Sequence, residues 1–124
     1  MSDDWATPTW LYRLFHTYYD PCPLGGIVTN NDNLEEGEWL PMPHYNGIYV
    51  NPPYSNPLPW VRKAIRTHVH TNLPVVMLLK HDSSTKWYAE LKEAGARFLM
   101  IEGKLKYGDA KKGAAFPSVL AVLS

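Results

Sequence analysis

Six consecutive residues, Pro74-Val75-Val76-Met77-Leu78-Leu79, carry no polar side chain, and they limit what this chain can fold into more than any other run. A strand with one wet face alternates apolar and polar residues. An unbroken apolar run marks a central strand covered on both faces, as in a parallel sheet flanked by helices. The neighbouring segments agree. Residues 57–69 have helical spacing, with proline at the start and Trp60, Val61, Ala64, Ile65 and Val69 on the face to be buried. Residues 83–94 predict a second helix, capped by Ser83 or Ser84 and stopped by Gly95. Residues 47–50, 97–101 and 117–123 read as further strands. Upstream, Thr7 is expected to cap a helix over residues 8–16, with Pro8 first and Leu11, Leu14 and Phe15 on one face. Residues 16–19 read as a short strand that ends at Asp20-Pro21. Residues 22–45 are rich in Pro, Gly, Asn, Asp and Glu and read mostly as loop, with a short strand at Ile27-Val28-Thr29. Strands alternating with helices predict an α/β fold with a mostly parallel sheet. At 124 residues the chain is expected to form one compact domain over residues 1–124.

Ligands of such sheets bind beyond the C-terminal ends of the strands. Asp20, Asn51 and Lys80-His81-Asp82 all fall at such ends, so three polar sites are expected on one rim. Asn51-Pro52-Pro53-Tyr54 is the most informative of them. Each proline fixes φ and lacks an N–H, so the turn offers rigidly held acceptors: the Asn51 side-chain carbonyl and the Pro52 carbonyl. Two such acceptors can take both hydrogens of a planar amine whose lone pair is delocalised into a π system. This localises the lone pair toward an incoming methyl group, a case of electrostatic preorganisation. Tyr54 adds a flat face on which a base can stack. A proline-rich tight turn with Asn as turn former is the bland alternative. The turn alone does not name its acceptor: exocyclic amines of adenine, guanine or cytosine, or a protein glutamine amide, would all fit.

Asp20-Pro21-Cys22, followed by Gly25-Gly26, is an acidic strand end leading into a glycine-containing loop. Such a loop can hold the methionyl part of S-adenosylmethionine, the carboxylate taking its ammonium. Asp32, in the polar run Asn30-Asn31-Asp32-Asn33, could accept from a ribose hydroxyl or an adenine amine; an ordinary solvated loop explains it equally well. His68 and His70 stand two apart on a helix and point to different faces, and no cysteine or carboxylate has ligand spacing to them. No metal is expected. Cys22 is the only cysteine, so no disulfide can form within the chain, and a reducing cytoplasm is expected. No apolar run approaches transmembrane length, and Met1-Ser2-Asp3-Asp4 does not resemble a signal peptide.

Zero net charge argues against a generic polyanion binder, but the distribution is uneven. Residues 1–57 carry one basic residue against seven acidic; residues 58–124 carry eleven basic against five acidic. Within the basic half, Lys104, Lys106, Tyr107, Lys111 and Lys112 form a candidate nucleic-acid surface. The lysines would attract phosphate and Tyr107 would stack. Two oppositely charged solvated faces are the competing explanation.

Taken in order, several segments resemble the phage-type DNA N6-adenine methyltransferases, relatives of Dam. They are Trp5-Ala6-Thr7-Pro8, Asp20-Pro21-Cys22, Asp32…Leu34…Trp39, Asn51-Pro52-Pro53-Tyr54-Ser55, Leu78-Leu79, Thr85-Lys86-Trp87, Glu102-Gly103-Lys104-Leu105-Lys106-Tyr107 and Phe116-Pro117-Ser118. The resemblance spans nearly the whole chain. It implies a Rossmann-like methyltransferase core that uses S-adenosylmethionine to methylate adenine N6 in DNA, in the cytoplasm of a bacterial, archaeal or virus-infected cell. Asn51, Pro52, Pro53 and Tyr54 would then be the catalytic turn. Trp5, Thr7, Pro8, Asp20, Pro21, Cys22 and Asp32 would lie near the cofactor. A homodimer would give so small a domain more surface for DNA. Two alternatives stay open: a methyltransferase acting on RNA or on a protein amide, and an inactive relative that only binds nucleic acid.

Overall fold

A computed structural model describes residues 7–22, 39–41, 43–101 and 117–124. Helix α1 spans Thr9–Leu14, strand β1 Ile48–Val50, helix α2 Leu58–Thr71 and strand β2 Val75–Lys80. Helix α3 (Lys86–Glu93), strand β3 (Arg97–Met100) and strand β4 (Ser118–Leu123) follow. The strands form one open sheet in the order β1-β2-β4-β3.

The sheet is mixed, not mostly parallel. β1 and β2 pair in parallel, Ile48 against Val75 and Val50 against Met77. β4 runs antiparallel to both β2 and β3. The reason lies in the connections. A parallel neighbour requires a crossover, usually a helix, and α2 supplies one between β1 and β2. The sequence between β3 and β4 has no helical periodicity, and the chain returns antiparallel beside β3. Strand–helix alternation elsewhere in the chain outweighed that lack of a helical pattern.

β2 is buried along its first five residues, as its apolar run requires. Alternate residues serve two cores. Val75, Met77 and Leu79 join Ile48, Val50, Val119, Ala121 and Leu123 on the face covered by α2 and α3. Val76 and Leu78 join Tyr49 and Leu11 on the other, with Phe15 and Tyr18 packed beside them. Each fully buried aliphatic side chain contributes roughly 1.5–3 kcal/mol relative to exposure.

α2 buries Trp60, Val61, Lys63, Ala64 and Thr67. Ile65 is only partly buried and Val69 is 67% exposed, so the buried stripe is narrower than its apolar residues suggested. Trp39 packs on this helix: its backbone N–H donates to the Thr67 hydroxyl at 3.0 Å, and the Lys63 ammonium lies 5.6 Å from its ring centre. α3 starts one or two residues later than its serines suggested. Thr85 is the cap, accepting from the Tyr88 N–H, because Ser84 is bonded to Asp82 instead. The helix ends as expected at Gly95, whose φ of 87° suits glycine. The Gly95 and Ala96 N–H groups donate to the carbonyls of Lys92 and Leu91.

The described residues before β1 depart most from expectation. α1 is capped by Pro8, without a side-chain bond, not by Thr7. It stops at Leu14, which is 66% exposed; only Leu11 of the expected stripe is fully buried. The strand over residues 16–19 reduces to one parallel bridge between Tyr19 and Ile48. The bridge forms where Gly47 lets three segments meet: a Cβ on Gly47 would lie 2.7 Å from the Pro74 carbonyl and 2.8 Å from the Tyr18 ring. The strand expected at residues 27–29 lies outside the described residues.

Candidate active site

The C-terminal ends of β1 and β2, with Asp20 after its bridge, form one rim. Asn51, Pro52 and Pro53 leave β1 buried, and Tyr54 is half-buried. Two prolines cannot extend the ladder, so the chain turns at once; the Asn56 N–H closes the turn on the Pro53 carbonyl at 3.4 Å. α2 then starts after Pro57 and carries the chain away beneath the sheet.

Asn51 is wholly buried. Its Nδ2 donates to the Thr7 hydroxyl at 3.2 Å, and that hydroxyl lies 3.1 Å from the Tyr49 hydroxyl. Tyr49 is 1% exposed and its ring stacks on Phe15 at 5.0 Å and 13°. Phe15 meets Tyr18 edge-on at 5.2 Å. The catalytic-turn candidate therefore rests on an aromatic block made by the segment around α1. Thr7 thus meets the turn directly, and its hydroxyl does not cap α1.

Beside the turn, Tyr54, Pro57, Leu79, Lys80, Asp82, Thr85 and Trp87 line a pocket of about 120 Å³. Ligand pockets for drug-sized molecules run to roughly 300–1,000 Å³, so this one suits a single ring system. Its floor is apolar and its rim carries both charges. Asp82 is held below the usual carboxylate range by the Ser84 hydroxyl and N–H, with Lys80 and His81 adding to this. His81 packs edge-on against Tyr88 at 5.6 Å, and its backbone N–H donates to the Pro117 carbonyl.

Asp20 occupies the other side of β1. Its Oδ1 accepts from the Cys22 N–H at 2.8 Å. Its Oδ2 is covered and has no hydrogen-bond partner among the described residues. Burial raises its pKa to about 6, against the lowering effect of the Cys22 N–H. Tyr12 is raised too, by burial first and then by Asp20 and Tyr45. Pro21 and Cys22 are buried behind Asp20.

Of the residues singled out from sequence, Thr7, Pro8, Asn51, Pro52, Pro53 and Tyr54 come together, with Asp20, Pro21 and Cys22 one bridge away. Trp5 and Asp32 lie outside the described residues, as do Lys104, Lys106, Tyr107, Lys111 and Lys112. Sequence reasoning missed Tyr49 and the pocket-lining role of Thr85 and Trp87. Tyr49 did leave a signal: a tyrosine alternating with Ile48 and Val50 in a strand covered on both faces needs a partner for its hydroxyl. Among the described residues no helix is long and apolar enough to cross a membrane, and no group of three His, Cys, Asp or Glu could hold a metal ion.

The chain matches the family model described as DNA N-6-adenine-methyltransferase (Dam) over residues 1–119. It is similar to the DNA N-6-adenine-methyltransferase of Haemophilus phage HP1 (strain HP1c1), 38% identical over 101 residues, which cover 70% of this chain and 55% of the relative. It is also similar to the DNA N-6-adenine-methyltransferase of Escherichia phage T1, 41% identical over 58 residues, covering 47% of this chain and 24% of the relative. The chain thus spans about half, or less, of the length of these curated relatives. No solved structure matches it.

Proposed function

The chain belongs to the DNA N-6-adenine-methyltransferase (Dam) family, and on that premise we propose that it methylates adenine N6 in DNA, with S-adenosylmethionine as methyl donor and residues 51–54 as the catalytic turn. One observation carries the reading. Asn51 is buried at the end of β1 with its Nδ2 engaged by Thr7, which leaves its Oδ1 as the end that can accept from an amine.

The exocyclic amine of adenine is a weak nucleophile because its lone pair is shared with the ring. Asn51 Oδ1 and the Pro52 carbonyl accept its two N–H hydrogens and concentrate the lone pair on nitrogen. Both acceptors stay rigid because Pro52 and Pro53 have fixed φ, so little reorganisation is needed at the moment of reaction. The target base has to leave the duplex stack to reach this turn. Tyr54 stacks on it there, and the pocket between Tyr54 and Trp87 is the space beside that ring.

S-adenosylmethionine, when bound, supplies a methyl group on a positively charged sulfur. Asp20 fits such a ligand: a covered carboxylate oxygen without a partner among the described residues is suited to a cationic amino group. Pro21 and Cys22 shape the backbone beside it. Pro8, Trp5 and Asp32 complete the set we assign to the neighbourhood of the cofactor, whereas the Thr7 hydroxyl is taken up by Asn51 and Tyr49. We take the four strands as part of a Rossmann-like core, a view supported by the common rim at the ends of β1 and β2. Lys104, Lys106, Tyr107, Lys111 and Lys112 are our candidates for DNA contact, and the basic balance of residues 58–124 supports them. The reducing cytoplasm of a phage-bearing bacterial cell is the setting we propose.

Incubation with methyl-labelled S-adenosylmethionine and a mixture of unmethylated DNA, RNA and protein tests this. Label in N6-methyladenine of the DNA is expected. Label confined to RNA or protein would keep the turn chemistry and overturn the acceptor; no label in any of them would make this a binding protein.

A further inference from the structure

We infer that Thr7 is a positioning residue for Asn51, and that the Tyr49 hydroxyl sets its direction by taking the Thr7 proton. The inference rests on the methyltransferase reading for its kinetic consequences, but its structural content stands without it.

An Asn side chain can rotate about its last bond, and this exchanges its oxygen for its nitrogen with little intrinsic preference. Only one of the two orientations presents an acceptor to the substrate amine. Some neighbour must therefore choose. Thr7 Oγ1, 3.2 Å from Asn51 Nδ2, is a contact that can do so. A hydroxyl alone is a poor selector, since it can accept from the amide nitrogen or donate to the amide oxygen. Thr7 has a second neighbour, the Tyr49 hydroxyl at 3.1 Å. Once Thr7 donates its single proton to Tyr49, its oxygen can only accept from Asn51. The amide must then turn Nδ2 toward Thr7 and Oδ1 away from it.

The surroundings make this directional. Tyr49 is 1% exposed and Asn51 is fully buried, so water does not compete at either end. The Tyr49 ring is held between the sheet and Phe15, stacked at 5.0 Å, so its hydroxyl cannot swing away. Strand alternation places Tyr49 on the α1 side of the sheet with Leu11, Val76 and Leu78, the side from which Thr7 approaches. The aromatic packing around α1 thus orients a polar group at the end of β1.

Four variants test this. Thr7→Val keeps the shape and removes the hydroxyl. It is expected to lower kcat on the order of 10–100-fold while the Kd for S-adenosylmethionine changes less than about twofold. Thr7→Ser restores most of kcat. Tyr49→Phe lowers kcat in the same direction by a smaller factor. In a Thr7→Val background, Tyr49→Phe is expected to have no further effect on kcat, because the Tyr49 hydroxyl reaches Asn51 through Thr7. An independent arm reads the Asn51 side-chain NH2 signals by nitrogen-15 NMR. They should shift and lose exchange protection in Thr7→Val and stay unchanged in Thr7→Ser. Wild-type kcat in Thr7→Val, or a loss carried entirely by weaker cofactor binding, overturns the positioning role. Unchanged Asn51 amide signals in Thr7→Val overturn the contact itself. If wild-type protein methylates no DNA, the methyltransferase reading fails, and the amide signals still decide the inference.

Discussion

Asp20 and Cys22 share one short bond: the Cys22 N–H donates to Asp20 Oδ1 at 2.8 Å, and the other carboxylate oxygen is buried without a partner among the described residues. One donor does not offset burial, so the Asp20 pKa is raised to about 6, well above its ordinary value of 3.8. On the proposed reading, this carboxyl meets the cationic amino group of S-adenosylmethionine.

The sign of its effect on stability follows from proton counts. Between pH 3.8 and about 6 the folded chain holds the Asp20 proton and the unfolded chain has lost it, so stability falls as pH rises through that window. The full effect is about 3 kcal/mol at about 1.4 kcal/mol per unit. Denaturation midpoints of the ligand-free protein should drop from pH 4 to pH 7, and Asp20→Asn should remove most of that slope. Binding runs the other way. Affinity for S-adenosylmethionine is expected to rise with pH through about 6 and then level off. Calorimetric titration at several pH values checks this; a flat profile in the wild type would remove Asp20 from the cofactor site.

On the proposed reading, Tyr54 acts through its ring. Tyr54→Phe should change kcat/KM by less than about threefold, whereas Tyr54→Ala should lose on the order of 10-fold or more, since stacking of a base on an aromatic ring contributes roughly 1–3 kcal/mol. Steady-state kinetics on a DNA substrate separates the two. Equal damage from both variants would assign the role to the hydroxyl.

Gly47 is required by space. The Cβ of an alanine there would lie 2.7 Å from a backbone carbonyl and 2.8 Å from the Tyr18 ring. Gly47→Ala is expected to cost about 1–3 kcal/mol, seen as a lower denaturant midpoint with unchanged slope. Wild-type stability would mean that Tyr18 and the β1 edge yield easily.

The central architecture was legible because it follows from burial. The run at residues 74–79 had to be a covered strand, and Gly95 had to stop α3. What escaped depends on contacts between distant segments. Nothing local tells Thr7 to meet Asn51 instead of capping α1, or tells Leu14 to stay exposed. β4 reversed direction because no helix pattern separates it from β3, a signal present in the sequence but outweighed by the alternation before it. The turn at residues 51–54 was legible as a rigid break at the end of β1, since two prolines cannot extend the ladder. Its support was not, since Tyr49 reads as an ordinary strand residue until its partner is known.

Lys104 and Lys106 should act on DNA affinity through charge. Reversing both to Glu is expected to weaken binding uniformly across sequences and to reduce the salt slope by about 1 for each lost phosphate contact. Binding measured over a range of salt concentrations reads this directly; an unchanged slope would take these residues out of the interface.

The proposed chemistry depends on Asn51 as the acceptor that activates the amine. The most direct test compares wild type with Asn51→Ala for N6-methyladenine formed in unmethylated DNA, with cofactor affinity measured on the same preparations. The expected result is N6-methyladenine from the wild type, a loss of about 10²–10³-fold or more in the variant, and nearly equal affinities for S-adenosylmethionine. A variant that still methylates at the wild-type rate, or one that fails only because it no longer binds the cofactor, would contradict the role given to Asn51.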